Sequence, residues 1–513
     1  MLATVSSASL SGAQGWPVAV EVHCSGGIPS FSIVGRPDTS CREARDRVRA
    51  ALLSCEAEWP LARITVNLSP TGVPAGGAGL DLAIALAILV ASGQLKPHMI
   101  EGVGALAELG LDGTLRPVPG VLPLVDVIDT DTVVVARNNF HEAQLVAEGR
   151  VQAVANLSDL LKVLIGDEGW PEPPEPLPED PGVAEPDMAD VRGQHFARFA
   201  LEVAAAGAHH LLFVGPPGAG KSMLAKRLAG LLPSLDSRQS LEVSRIHSAA
   251  GELLPRSGFI RRPPFRAPHH GASSVSLIGG GTASMRPGEL SLASGGVLFL
   301  DELGEFAPSA LDALRQPLED AVVRVSRAHG SAVFPADVLL IAAMNPCPCG
   351  GAGSPGGCRC SEAARHRYHQ RVSGPLLDRF DIRIRVERPH ASELLCSDPG
   401  EPTTAVFDRV ATARGIAADR GVPANGRLSA LQIEDVAPLG QGARSVLERA
   451  LSEQQLSARG LHRVRSVART VADLAGHEGE LTAEHVQTAL MLRTQPLANG
   501  RAGVRVYKGA RRG

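Results

Sequence analysis

Aromatic side chains are scarce, at 3% of the 513 residues, which argues against a surface built from rows of base-stacking rings. Cysteine is also sparse. Eight in the whole chain are too few for a disulfide scaffold. No apolar run is long enough to cross a bilayer; the longest, Leu80 to Ala91, carries Asp81. The N-terminus lacks the basic start and apolar core of a secretory signal. Neither charge sign dominates, with 50 Lys+Arg against 54 Asp+Glu, so any basic surface must be local. These absences lead us to expect a cytoplasmic protein with no membrane partner.

What is present suits folded domains. Hydrophobic residues make up 44% and charged residues 20%, which excludes disorder throughout, and the length suggests two to four domains. Residues 167–190 hold nine acidic residues, seven prolines and no Lys or Arg. Like charges repel and proline removes donors, so this tract reads as an extended linker, with an ordered loop as the alternative. Before it, residues 1–166 alternate short β-like runs (VAVEVHC, SFSIVG, RITVNLSP, DTVVVARNN) with helical ones (DLAIALAILVASGQL and a helix near His141 to Glu148), as an α/β domain does. After it we expect a nucleotide-binding core over 191–388, a helical domain over 389–495 and a basic tail over 496–513.

The segment HLLFVGPPGAGKSMLAKRLAGLL reads as strand, glycine loop and helix. Gly215, Gly220, Lys221 and Ser222 fit the phosphate-loop pattern, with Pro216, Pro217, Gly218 and Ala219 between the glycines. Backbone N–H groups of such a loop curl around phosphates, Lys221 reaches the β- and γ-phosphates, and Ser222 ligates Mg²⁺. Further on, GGVLFLDELGEF carries Asp301 and Glu302 to a strand end, Asp301 for the Mg²⁺ shell and Glu302 to activate water. Asn345 ends a third apolar strand, where its amide can orient that water or sense the γ-phosphate. Arg379 follows a short helix, placed to reach a neighbouring subunit's nucleotide or else to pair with Asp378 or Asp381. ATP with Mg²⁺ is the expected cofactor.

Cys347, Cys349, Cys358 and Cys360 form C-x-C-x8-C-x-C around a glycine-rich turn. Four thiolates so close suit tetrahedral Zn²⁺, with unligated thiols as the alternative. Two basic segments, RRPPFRAPHH (261–270) and RHRYHQR (365–371), read as pore-facing loops on which Phe265 or Tyr368 stacks on a base, or as partners of neighbouring acids. His269 and His270 lack an acidic neighbour in sequence, which disfavours a metal site there.

These motifs together look like an AAA+ ATPase. DVRGQ (190–194), FRAPHHGASSVSLIGGG (265–281), PGELSLASGGVLFLDEL (287–303), NPCPCG (345–350) and SGPLLDRFD (373–381) resemble the YifB/ComM family of magnesium-chelatase-like ATPases over essentially the whole chain. The resemblance implies a hexameric ring with a helix-2 insertion in its ATPase domain and a helical lid. It makes Arg379 the trans finger and a lid arginine a phosphate contact, for which Arg459 is favoured over Arg463, Arg465 and Arg469, Ser466 standing at the family's usual position. It also implies single-stranded or branched DNA as partner, with branch migration or helicase action in recombination or natural transformation. A chelatase-type subunit and a protein-complex remodeller are the alternatives. The N-terminal domain resembles the Lon protease fold, yet Gly77 stands at the serine position and Leu122 at the lysine position, so no proteolysis is expected.

Overall fold

A computed structural model of the chain describes residues 1–493, apart from 36–37, 71–76, 176–185, 282–284, 328–329, 353–356, 390–391, 394–398 and 455. The basic tail and the middle of the acidic tract therefore lie outside the described residues.

The N-terminal body is a seven-stranded sheet with strands β1 (Leu2–Ser11), β2 (Gln14–Ser25), β3 (Ser30–Val34), β4 (Arg63–Ser69), β5 (Val103–Leu106), β6 (Thr132–Ala136) and β7 (Val151–Val154). Their spatial order is β3-β4-β2-β1-β5-β6-β7. Helices α1 (Thr39–Ser54) and α2 (Asp81–Ala91) share its core, and every residue of α2 is buried, which is why its sequence shows no polar face. Its one charge is answered: Arg47 Nε donates to Asp81 Oδ2 at 2.6 Å, although burial still pushes that carboxyl up to about 6. β1 was not anticipated, because LATVSSASLS lacks the β-branched alternation of its neighbours. Ser7 and Ser9 are buried in it all the same, and Ser7 Oγ donates to the Ala105 carbonyl at 2.7 Å. The helix expected near His141 to Glu148 is shorter, spanning Phe140–Gln144. Before it, α3 (Val121–Val125) rests on the second body.

That second body is a five-stranded parallel sheet. Its strands are β8 (Leu211–Val214), β9 (Phe265–Arg266), β10 (Val297–Leu300), β13 (Leu339–Met344) and β14 (Ile382–Arg385), in the order β9-β10-β13-β8-β14. The hairpin β11 (Val322–Arg327) and β12 (Gly330–Pro335) is inserted between β10 and β13. Strands β8, β10 and β13 are buried along their whole length, as expected of a sheet covered on both faces. The surrounding helices include α4 (His195–Gly207), α5 (Lys221–Arg227), α6 (Ser237–Ala250) and α7 (Glu362–Gln370).

The acidic tract does not stay extended to its end. Met188 and Val191 are fully buried in the core of this body, and Arg227 binds both the Asp187 carbonyl and the Asp190 carboxylate. Residues 187–190 are thus folded, because their apolar side chain has a cavity to fill. The N-terminal body docks nearby: Gly120 N donates to the Ser248 carbonyl of α6 at 2.8 Å, and Asp126 pairs with Arg245.

Helices α8 (Thr403–Asp419), α9 (Gln441–Ser452), α10 (Ala458–Leu474) and α11 (Ala483–Met491) form the C-terminal segment. A buried polar network fastens it to the sheet. His209 Nε2 lies 2.7 Å from Thr470 Oγ1, and Asn425 Nδ2 donates to both Thr470 Oγ1 and Asp473 Oδ2. Beside it, His210 Nδ1 accepts from Leu340 N at 3.0 Å, which requires an unprotonated Nδ1.

Burial lowers His210 from 6.5 to about 3. The unfolded imidazole takes up a proton below its ordinary pKa and the folded one does not, so this contribution to stability is present above that value and is lost as pH falls toward the folded one. Asp381, held well below the usual carboxylate range by Arg463 and His209 against its own burial, adds a loss of the same sign at lower pH. We expect the urea midpoint to drop between about pH 7 and about pH 4.5, and to drop less in His210→Gln. A midpoint flat across that window contradicts this assignment.

Candidate nucleotide site

The C-terminal edge of the parallel sheet collects the nucleotide residues, where ligands sit in open α/β sheets. β8 leads into the loop Gly215–Gly220, and α5 begins at Lys221. Gly215 admits no side chain, since a Cβ there would fall 2.1 Å from the Val386 carbonyl oxygen. Gly218 and Gly220 have φ of 77° and 87°, the left-handed region that lets the loop curl. Lys221 Nζ donates to the carbonyls of Gly215 (2.7 Å) and Pro216 (3.0 Å) and to Asn345 Oδ1 (3.1 Å). Burial lowers its pKa, while the nearby Asp301 and Glu302 oppose that shift. Ser222 Oγ donates to Asp301 Oδ2 at 2.6 Å, and Asp301 Oδ1 accepts from the Glu302 amide at 2.9 Å.

Together these residues line one cleft of about 380 Å³ that includes Pro217, Gly218, Ala219, Asp301, Glu302 and Asn345. The donor set fits a magnesium nucleotide: a hydroxyl and a carboxylate 2.6 Å apart, beside an ammonium and a glycine loop. When bound, Mg²⁺ supplies charge neutralisation to the phosphates. Lys221 then exchanges its carbonyl partners for phosphate oxygens, and Glu302, at the rim with 53% of its side chain exposed, is where water can enter.

Three contacts escaped the sequence reading. Gln194, the last residue of DVRGQ, donates to the Ala219 and Glu387 carbonyls, and Arg388 donates to the Pro217 carbonyl, so both brace the phosphate loop from behind. The third is His270, whose Nδ1 lies 3.1 Å from Glu302 Oε2. The acid missing beside His269 and His270 in sequence is supplied across space.

Arg379 and Arg459 are not in this cleft. β14 runs parallel to β8 with Ile382 opposite Leu211, so Arg379, three residues earlier, lies at the N-terminal edge, away from the phosphate loop. It pairs with Glu319 rather than with Asp378 or Asp381, which bind Arg383 and Arg463 instead. Arg459 is exposed on the first turn of α10, one turn before Arg463, which donates to the Arg379 carbonyl. The remaining arginines of that helix are engaged internally, Arg465 with Glu434 and Arg469 with Asp473. Ser466 bonds the Asn425 carbonyl.

The base-stacking expectation fails at both rings. Tyr368 is buried with Gly304 packed against its ring, and Phe265 stacks on Phe299 within the sheet. Arg266 is bidentate on Glu289 and also meets Glu252, while Arg371 binds Glu305; for these two, pairing with acids holds. In the N-terminal body Gly77 and the buried Leu122 occupy the expected positions, so a Ser–Lys pair is not formed there.

The four cysteines do converge. Sγ separations are 3.5 Å for Cys347–Cys349, 3.6 Å for Cys349–Cys358 and 3.4 Å for Cys347–Cys358, and all four sulfurs including that of Cys360 lie within 4.8 Å of one another. A tetrahedral site with Zn–S bonds of about 2.3 Å has sulfurs about 3.8 Å apart, so the set fits zinc. Backbone N–H groups of Gly351 and Arg359 lower the Cys349 thiol to about 6, toward the thiolate that a metal requires.

Comparison with known proteins agrees with this geometry. Three family models match in succession: Subunit ChlI of Mg-chelatase over residues 20–139, Magnesium chelatase, subunit ChlI over 187–394, and its C-terminal region over 400–493. Competence protein ComM of Haemophilus influenzae is 42% identical over 96% of this chain and 97% of its own. The chain belongs to the YifB/ComM family. Escherichia coli YifB is 39% identical over 93% of this chain and 94% of its own, and an uncharacterized Mycobacterium tuberculosis protein is 46% identical over 92% and 94%. Membership in this magnesium-chelatase-like AAA+ family makes the parallel-sheet body an ATPase domain.

In a YifB/ComM ATPase of this geometry, Glu302→Gln should retain ATP binding while turnover falls by about two orders of magnitude or more. Lys221→Ala should lose nucleotide binding itself. Equal binding losses in both variants, measured with a fluorescent ATP analogue, contradict the division of roles.

Proposed function

We propose that the protein is a ring-forming, Mg²⁺-dependent ATPase, a hexamer in the manner of AAA+ motors, that remodels single-stranded or branched DNA by branch migration or unwinding during recombination or natural transformation. The observation that carries the ring is the separation of Arg379 from the cleft: it sits at the opposite sheet edge, so within one chain it cannot reach the phosphates held by Lys221. A neighbour's Arg379 completes the site in trans, stabilising charge on the transferring phosphoryl group. Arg459, at the same edge, joins it as a second contact to the neighbour's nucleotide. Kinship with a protein named for competence supports DNA as the client. The family models carry the chelatase name, which supports a second reading as the ATPase subunit of a metal-insertion complex.

The N-terminal body is read as a Lon-like domain without its Ser–Lys dyad, serving ring assembly or substrate guidance rather than peptide hydrolysis. No helix among the described residues is long and apolar enough to cross a membrane, and a cytoplasmic site of action suits a DNA client. The cysteine cluster is read as structural zinc. It begins two residues after Asn345, and Gly350 within it lies against Pro217 of the phosphate loop, so the metal braces the nucleotide cleft.

Purified protein should hydrolyse ATP faster with single-stranded or forked DNA than without, and Glu302→Gln should abolish the stimulated rate. Turnover indifferent to DNA shifts the client to a protein or tetrapyrrole. The same protein should carry about one zinc per chain, and Cys347→Ser with Cys349→Ser should lose it and raise KM for ATP. Under about half an equivalent by metal analysis of fresh protein contradicts the zinc assignment.

A further inference from the structure

We propose that His270 is a latch on the hydrolytic carboxylate, a positioning residue that holds Glu302 turned away from the attacking water until the segment after β9 moves. The inference rests on the ATPase reading of the cleft and adds a control element to it. Glu302 ends the strand β10 with φ of 52°, so its side chain leaves the sheet edge at an angle that Asp301 does not share. Among the described residues, His270 is the charged partner within reach of that carboxylate, at 3.1 Å through Nδ1.

The direction of this contact matters. Lys221, Ser222, Asp301 and Asn345 converge where β8, β13 and β10 end. His270 belongs to the segment after β9, the strand on the far side of β10 from both β13 and β8. The contact therefore ties the Glu302 carboxylate to the outer strand's segment and away from the phosphate end of the cleft. A carboxylate oxygen facing an imidazole N–H is also a poorer proton acceptor than a free one. Held so, Glu302 is both misdirected and less basic.

His270 is itself firmly placed. Its ring stacks on His269 at 4.0 Å between centroids, and His269 Nδ1 accepts from Gly271 N at 3.0 Å, which closes a small turn. Arg266, at the end of β9, is fixed by Glu289 at 2.8 and 3.1 Å and by Glu252 at 3.1 Å. Glu252 in turn pairs with His247 of α6 at 2.9 Å. Helix α6 carries Ser248, on which the N-terminal body docks through Gly120. The latch is thus tied, through α6, to the surface where the two bodies meet, and a displacement of that surface is what would release it.

Steady-state ATP turnover of the full-length protein without DNA tests this, using wild type, His270→Ala, His270→Asn and Glu302→Gln. Asparagine places a side-chain N–H close to the position of Nδ1 and so keeps the latch; alanine removes it. We expect His270→Ala to raise basal kcat about three- to tenfold, the effect of one hydrogen bond to a charged group, with KM for ATP within about twofold of wild type. His270→Asn should stay near the wild-type rate. A His270→Ala rate at or below wild type, a rise shared equally by His270→Asn, or a large rise in KM overturns the latch while a dead Glu302→Gln leaves the ATPase reading standing. Turnover that survives Glu302→Gln unchanged overturns the assignment of the base, and the latch with it.

Discussion

The Lys221 ammonium lies between the Gly215 and Pro216 carbonyls and the Asn345 amide oxygen, half-buried at the edge of a parallel sheet. Three separate stretches of chain must agree for that contact to exist. β8 supplies the loop, β13 supplies Asn345, and Ser222 is drawn to Asp301 at the end of β10. Parallel pairing brings all three strand ends to one edge, and glycine at 215 lets the loop lie against Val386. Without phosphate, the lysine satisfies its donors with backbone oxygens, so it stays charged and aimed although burial opposes its charge.

The opposite edge of the same sheet is held by the C-terminal helices. Arg463 grips the Arg379 carbonyl and the Asp381 carboxylate, and Arg493 donates to the Phe380 and Asp381 carbonyls. The turn bearing Arg379 is therefore fixed in part from the lid, while its guanidinium rests on Glu319 at the surface. In the proposed ring, this couples lid position to the reach of an arginine into the neighbouring cleft. An ion pair at a surface costs little to exchange.

How much of this was readable in advance depended on the range of the interaction. The phosphate loop was legible because its demands are local: glycines at two left-handed positions, then Lys221 and Ser222 opening a helix. Asp301, Glu302 and Asn345 were legible because apolar runs mark buried strands and their ends. The cysteine cluster was legible in spacing, and its sulfurs do meet. β1 was not, because Ser7 and Ser9 are buried by hydrogen bonding rather than by apolar character. Tyr368 was misjudged because seven basic and aromatic residues in a row do not reveal which side of a helix faces the core. His270 was misjudged because its acid, Glu302, lies thirty-two residues away in sequence and adjacent only in the sheet.

The central claim is that one subunit's cleft works with another's arginine. It is tested most directly by mixing two inactive variants, Lys221→Ala, which keeps its arginine but not its cleft, and Arg379→Ala, which keeps its cleft but not its arginine. The account predicts that each alone is inactive and that co-assembled mixtures regain ATP turnover, greatest near equal proportions. Mixtures that stay inactive at every ratio while still forming oligomers, or Arg379→Ala that turns over normally by itself, would contradict it.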